Sequence, residues 1–215
     1  MDKNTLLLYA ITDSGCIGGR DFFEEAENAL KGGVTILQLR EKGLSEDELT
    51  AKAKRLKAVC RKYNVPLIVN DSVRAAIESG ADGVHVGADD MNVAEIRRIA
   101  GDGFIIGATA KTPEQAMNAQ ANGADYLGCG ALFTSSTKQD AKPMTVDTLK
   151  KITSSVSIPV VAIGGLTYEN IGIIKGSGVS GAAVVSAVFA EDDIKAAAEK
   201  IKKKLSGILN DTCTE

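Results

Sequence analysis

Eight short apolar runs alternate with longer charged stretches along this 215-residue chain, and that alternation constrains the fold more than any other feature. The runs are Leu6–Ile11, Thr35–Leu39, Leu67–Val69, Gly83–Val86, Phe104–Gly107, Tyr126–Gly128, Val160–Ile163 and Ala182–Val185. They are nearly continuous rather than alternating, as expected of strands buried on both faces by helices. The segments between them have helical spacing and helical punctuation. Asp21–Lys31 ends at Gly32-Gly33. Ser45 and Glu48 form a capping box for a helix running to about Tyr63, which Pro66 stops. Thr112-Pro113-Glu114-Gln115 supplies a cap and a proline at the first helical position. Shorter helices fit Val73–Ser79, Val93–Ala100, Val146–Thr153 and Tyr168–Lys175. A last one runs from about Asp192 to Leu205, with Lys202-Lys203-Lys204 in its final turn, where the helix dipole favours cations. A turn of small residues feeding a strand recurs at Gly80-Ala81-Asp82, Gly123-Ala124-Asp125 and Gly178-Val179-Ser180.

Repeated β-then-α units in an uninterrupted chain predict an α/β fold, a single eight-stranded (β/α)8 or TIM barrel spanning 1–215 as one catalytic domain. An open doubly wound sheet is the rival, but no G-x-G-x-x-G follows any strand run. There is no Pro/Ser-rich linker, and only 4 prolines occur.

Composition narrows the function. A net charge of -3 gives no basic footprint for nucleic acid, and 4% aromatics without Trp leave no stacking platform for bases. The longest apolar run, Gly181–Ala190, is far short of the roughly 20 residues that span a bilayer. The opening MDKNTLLLYA lacks the long apolar core of a secretory leader. Cys16, Cys60, Cys129 and Cys213 are irregularly spaced with no C-x-x-C, which predicts free thiols in a reducing, cytoplasmic setting. One histidine, His85, removes most zinc constellations and makes a Ser-His-Asp hydrolase a poor fit. The expected partners are small molecules, neither nucleic acid nor membrane. The oligomeric state stays open, a homo-oligomer included.

In such a barrel the chemistry sits where strands end. After the second run, alternation puts Gln38 and Arg40 on one side, with Lys42 two residues on. An amide and two cations suit an anionic substrate. After the third and fourth runs come Asn70-Asp71 and His85-Val86-Gly87-Ala88-Asp89-Asp90. Two carboxylates from adjacent strand ends suit a small hard cation such as Mg²⁺, with helix N-capping as the rival role for each. His85 lies within a strand run and reads as a structural hydrogen-bonding group rather than a base. Thr109 places a hydroxyl after the fifth run. The longest loop, about Gly128 to Met144, carries Thr134-Ser135-Ser136-Thr137-Lys138, which suits phosphate binding or a lid. Gly164-Gly165 and Val185-Ser186 end the last two runs, the usual phosphate-binding pair of this architecture. Two anion sites result, as two phosphorylated substrates would require.

From about Leu6 to Phe189 the chain resembles the thiamine-phosphate synthase family. The resemblance rests on Tyr9-Ala10-Ile11-Thr12-Asp13, Gln38-Leu39-Arg40-Glu41-Lys42, Ile68-Val69-Asn70-Asp71, Gly83-Val84-His85-Val86-Gly87 with Asp90, Ser135-Ser136-Thr137-Lys138, Ala162-Ile163-Gly164-Gly165 and Val184-Val185-Ser186, in that order. It implies a transferase that joins 4-amino-5-hydroxymethyl-2-methylpyrimidine diphosphate to hydroxyethylthiazole phosphate, releasing pyrophosphate and thiamine phosphate. It further implies that pyrophosphate leaves first and that the thiazole nitrogen captures the resulting pyrimidine carbocation. By the same resemblance Gln38, Arg40, Lys42, Asn70 and Thr109 bind the pyrimidine diphosphate, and Asp71 and Asp90 hold Mg²⁺. Ser135 and Thr137 bind the thiazole phosphate or its loop, while Gly165, Val185 and Ser186 take the thiazole phosphate. Lys138 contacts pyrophosphate and, with Arg40 and Lys42, carries the catalytic charge neutralisation. Two positions depart from the family pattern: no proline stands near Thr134, and Ala88-Asp89 replace the usual Gln and Glu.

Three rivals remain. A thiazole tautomerase on the same fold needs a base, and His85 is the one imidazole available. A non-enzymatic thiazole-phosphate binder would bind without turnover. A Schiff-base aldolase needs a lysine inside the barrel, and the strand runs hold none.

Overall fold

The computed structural model describes residues 1–87, 90–133 and 143–210. Eight parallel strands close on themselves in sequence order: β1 (Leu8–Ile11), β2 (Ile36–Leu39), β3 (Leu67–Asn70), β4 (Gly83–Val86), β5 (Ile105–Ala110), β6 (Tyr126–Cys129), β7 (Val160–Ile163) and β8 (Gly181–Val184). The register of the closing pair, Leu8 with Ala182 and Ala10 with Val184, leaves no free sheet edge. Helices α1 (Phe22–Lys31), α2 (Glu46–Lys62), α3 (Val73–Ser79), α4 (Val93–Ala100), α5 (Pro113–Ala121) and α6 (Val146–Ser155) follow the first six strands in turn. A one-turn helix α7 (Ser186–Phe189) and the long α8 (Ile194–Asn210) follow the eighth.

The local signals act as expected. Ser45 and Glu48 make the reciprocal capping box of α2, Thr112 caps α5 ahead of Pro113, and Gly80 ends α3 in the left-handed conformation. A cap of this kind stabilises by about 1 kcal/mol. Three expectations need correction. The predicted helix Tyr168–Lys175 is only a 3₁₀ turn, Ile171–Ile174. The first strand starts at Leu8, because Lys3–Leu6 wind into another 3₁₀ turn beneath the barrel. Finally, α8 continues to Asn210, so Lys202-Lys203-Lys204 lie in its body rather than its last turn. Lys204 instead donates to the Tyr168 carbonyl and stacks over the Tyr168 ring.

The near-continuous apolar runs resolve into two cores with a strand's period of two. Leu8 and Ala10, Leu37 and Leu39, Leu67 and Val69, and Val84 and Val86 pack outward under the helices. Tyr9, Ile11, Ile36, Ile68, Tyr126, Val161 and Ala183 form a separate cluster, which fills the barrel. At the strand starts two ion pairs brace the ring. Asp82 binds Lys57 and accepts from the Leu67 N–H at 2.6 Å. Arg97 donates to Asp125 and to the carbonyls of Gly101, Phe104 and Gly123, tying α4 to the starts of β5 and β6.

A polar chain runs through the apolar interior. The Gln38 amide nitrogen donates to Tyr9 Oη at 2.7 Å, Tyr9 Oη meets Tyr126 Oη at 2.7 Å, and Tyr126 Oη meets His85 Nδ1 at 3.0 Å. His85 Nε2 then meets Thr109 Oγ1 at 3.1 Å. Gly107 makes room for it: a Cβ there would stand 2.1 Å from the Tyr126 ring and 2.5 Å from His85 Nδ1. Gly107→Ala is therefore expected to destabilise by roughly 1–3 kcal/mol through overpacking. Denaturant unfolding checks this, and an unchanged midpoint would show that the ring shifts freely. Burial also lowers the His85 pKa from 6.5 to about 4. The unfolded chain then binds the extra proton between these values, so stability is complete above pH 6.5 and falls as pH drops toward 4. His85 keeps partial access to solvent, so the loss is at most about 3 kcal/mol. Unfolding at pH 7 and pH 5 checks it, since a His85→Asn variant should lose that part of the slope.

Candidate active site

The strand ends carry the groups that the sequence singles out. Thr12, just past β1, is 1% exposed and ties the first two loops together. Its N–H donates to the Gln38 carbonyl at 2.9 Å, and its hydroxyl oxygen accepts the Arg40 N–H at 3.0 Å. Glu41 is also turned into this junction. Its side chain is only 7% exposed, accepts from Thr12 and Ser14, and pairs with Lys52 at 3.0 Å. Lys52 in turn lies 3.6 Å over the Phe22 ring. Arg40, Glu41 and Lys42 line a cavity of about 300 Å³ together with Glu46, Asn70, Asp71 and Ser72, with the Glu41 carboxylate already engaged by Lys52, Ser14 and Thr12.

The turn after β3 is unusual. Asp71 has φ 62°, a left-handed conformation that Asp tolerates better than most residues. Its N–H reaches the His85 carbonyl at 2.8 Å, which locks the β3 and β4 ends together. The Asp71 carboxyl contacts that of Asp90, whose Oδ2 also accepts the Gly87 N–H at 2.6 Å. Loss of hydration, then the Asp90 charge, push the Asp71 carboxyl above its usual value, against the pull of Arg40 and Lys42. Neither aspartate is a helix cap: Ser72 caps α3 and Asn92 caps α4. Both are left for other work.

The pair suits Mg²⁺. It offers two hard oxygen donors from neighbouring strand ends, where a cation relieves their mutual repulsion. Among the described residues no group of three or more His, Cys, Asp or Glu gathers as a full cage. Water or phosphate oxygens would complete the coordination, as Mg²⁺ prefers. His85 is not a competing ligand, because Tyr126 and Thr109 take both ring nitrogens.

The remaining residues fall on the far side of the mouth. Gly164 and Gly165 follow β7 with φ 101° and 61°, and a Cβ on Gly164 would stand 2.5 Å from the Ala131 Cα. Asn170 braces this turn by donating to the Gly165 carbonyl at 2.9 Å. Val185 leaves β8 with φ -118° and ψ -86° to open α7, so Ser186 is exposed as the first helical residue rather than a strand end. Leu132 and Phe133 donate to the Ile163 and Gly164 carbonyls, pinning the root of the loop after β6 beside this turn. Ser135, Thr137 and Lys138 lie outside the described residues.

The structure thus brings Arg40, Lys42, Asn70, Asp71 and Asp90 together, and sets Gly165, Val185 and Ser186 at the ends of the adjacent β7 and β8. Among the described residues no hydrogen bond or ion pair joins the two groups directly. Gln38 and Thr109 are linked through the barrel by Tyr9, Tyr126 and His85. Sequence reasoning missed Tyr9, Tyr126, Thr12 and Glu41 as supports. The available signal is polar: a tyrosine inside an aliphatic strand needs a partner for its hydroxyl.

Comparison with known proteins agrees with this geometry. A family model described as thiamine monophosphate synthase matches residues 8–188. A thiamine-phosphate synthase of Ruminiclostridium cellulolyticum is 47% identical over 194 residues, covering 90% of this chain and 92% of its own. One from Fusobacterium nucleatum is 43% identical, covering 96% of this chain and 100% of its own. The solved structure of a thiamine phosphate pyrophosphorylase from Pyrococcus furiosus superposes with a TM-score of 0.88 at 38% identity, over 96% of this chain and 98% of that one. The matched span starts at the first residue of β1 and ends inside α7, so it takes in every strand of the ring, and the chain belongs to the thiamine monophosphate synthase family.

Proposed function

We propose that this chain condenses 4-amino-5-hydroxymethyl-2-methylpyrimidine diphosphate with hydroxyethylthiazole phosphate in a Mg²⁺-dependent reaction, giving thiamine phosphate and pyrophosphate. The observation that carries it is the contact of Asp71 with Asp90 beside Arg40 and Lys42, two of the residues lining the cavity. Paired carboxylates next to paired cations are what a metal-bound diphosphate requires. In this reading Arg40 and Lys42 bind the diphosphate and stabilise the charge that gathers on it as it leaves. Lys138 joins them on the strength of its sequence position. Gln38, Asn70 and Thr109 orient the pyrimidine. Gly165, Val185 and Ser186 receive the thiazole phosphate, with Ser135 and Thr137 from the neighbouring loop. Asp71 and Asp90 would hold Mg²⁺, which would supply further neutralisation of the leaving group. The carbon–oxygen bond breaks first, and the thiazole nitrogen then donates its electron pair to the pyrimidine cation.

That nitrogen carries no proton to remove, so no general base is needed. This favours the synthase over the tautomerase. Burial lowers the His85 pKa to about 4 and both ring nitrogens are hydrogen-bonded, which leaves a weak base with no free nitrogen for a substrate proton. We also place the chain in the cytoplasm. The free thiols of Cys16, Cys60 and Cys129 suit a reducing compartment, and among the described residues no helix is long and apolar enough to cross a membrane.

Incubation of both phosphorylated substrates with Mg²⁺, scoring pyrophosphate and thiamine phosphate, tests the activity. Asp71→Ala is expected to abolish Mg²⁺-dependent turnover while leaving thiazole-phosphate binding largely intact. Unchanged turnover in excess Mg²⁺ would sink the metal assignment. Lys138→Ala should lower kcat by about 10²–10³ and raise KM far less, because the leaving group gains charge in the transition state. An effect confined to KM would reduce Lys138 to a binding role.

A further inference from the structure

The polar chain through the barrel has a direction. The Gln38 amide nitrogen donates to Tyr9 Oη, so the Tyr9 hydroxyl already accepts and its own proton is free for Tyr126 Oη. If Tyr9 donates to Tyr126 Oη, the Tyr126 proton goes to its other partner, His85 Nδ1. An imidazole accepting at Nδ1 is neutral and carries its proton on Nε2, so it donates to Thr109 Oγ1. Thr109 accepts this bond, which leaves its own hydroxyl proton unassigned. Among the described residues nothing accepts that proton, and nothing donates to Gln38 Oε1. The bonds are 2.7, 2.7, 3.0 and 3.1 Å long, and each of the three inner members has one partner on either side, so a chain running in one direction uses every inner proton.

We infer that Tyr9, Tyr126 and His85 act as positioning residues that fix the polarity of the pyrimidine pocket, presenting Gln38 Oε1 as an acceptor and the Thr109 hydroxyl as a donor toward the mouth. An aminopyrimidine is the complementary ligand, since its exocyclic amine donates and its ring nitrogens accept. A chain of the opposite direction would offer an amide donor and a hydroxyl acceptor, and would reject that ring by leaving like groups face to face. This assignment rests on the function proposed above. It adds to that function the hydrogen-bond pattern by which the ring is read, and the residues, none of them in contact with it, that set the pattern. The burial of the Tyr9 and Tyr126 hydroxyls, which raises the pKa of both phenols, keeps the relay protonated and its direction fixed across the working pH range.

Because the chain holds one histidine, ¹⁵N-histidine labelling of the intact protein reports on this ring alone. The expected spectrum has a pyridine-like Nδ1 and a pyrrole-like Nε2. A proton on Nδ1, or averaging between the two forms, would overturn the direction. Tyr126→Phe removes the donor to Nδ1 and the acceptor for Tyr9. It should let the ring average between tautomers, and raise KM for the pyrimidine diphosphate about tenfold. KM for the thiazole phosphate should stay within twofold. A KM that is unchanged, or that rises equally for both substrates, would overturn the positioning role. Should that variant fail to fold, Tyr9→Phe breaks the chain one link earlier and is held to the same criteria. Loss of all turnover in the unaltered protein would instead reject the proposed reaction, while the nitrogen spectrum would still decide the direction of the chain.

Discussion

Closure of the sheet is the constraint from which the rest follows. Eight parallel strands in sequence order leave no edge, and the enclosed space is only wide enough for side chains. Whatever points inward must fit its neighbours across the ring and satisfy its own polar atoms. Tyr9 and Tyr126 put two hydroxyls into that space, where an unpartnered polar group costs about 1–3 kcal/mol. Among the described residues no buried side-chain nitrogen or oxygen is left without a partner. The hydrogen-bonded run from Gln38 to Thr109 is thus a condition of packing as well as a feature of the site. It joins the floor of the mouth to the centre of the core, with the missing side chain at Gly107 as its clearance.

The loops above the ring sort charge rather than add it. Glu41 stands between Arg40 and Lys42 in sequence, and in open solvent it would cancel one of them. Lys52, Ser14 and Thr12 occupy its carboxylate oxygens, although Glu41 itself lines the cavity. The Thr12 hydroxyl meanwhile fixes the Arg40 backbone. Across the cavity the carboxylates are held in place by backbone contacts, Asp71 through its left-handed turn and Asp90 through the Gly87 N–H. A formal charge of -3 for the whole chain conveys none of this.

The repeating pattern of strand and helix, and the caps at Ser45 and Thr112, are local, so the barrel was legible in the sequence almost element by element. The exceptions have local causes too. Ile171–Ile174 carries three isoleucines, but Gly172 among them and Gly176 just after leave only a 3₁₀ turn. Val185 reads as strand by composition, yet its backbone turns away to start α7. Mouth residues such as Gln38, Asn70 and Asp71 were legible because polar groups at the ends of apolar runs stand out. The supports beneath them were not. Tyr9 and Tyr126 lie 117 positions apart, and nothing in either segment announces the other. A continuous apolar run also hides which face is inward, since both faces are buried.

The two braces at the opposite end, Lys57 with Asp82 and Arg97 with Asp125, grip the segments where strands begin and, among the described residues, touch none of the groups at the mouth. Arg97 alone spans three carbonyls and a carboxylate. The rim at the strand starts therefore only fastens, while the rim at the mouth both fastens and recognises. Descendants of such a chain are free to rewrite the recognising rim, one loop at a time, while the fastened rim continues to hold the ring shut.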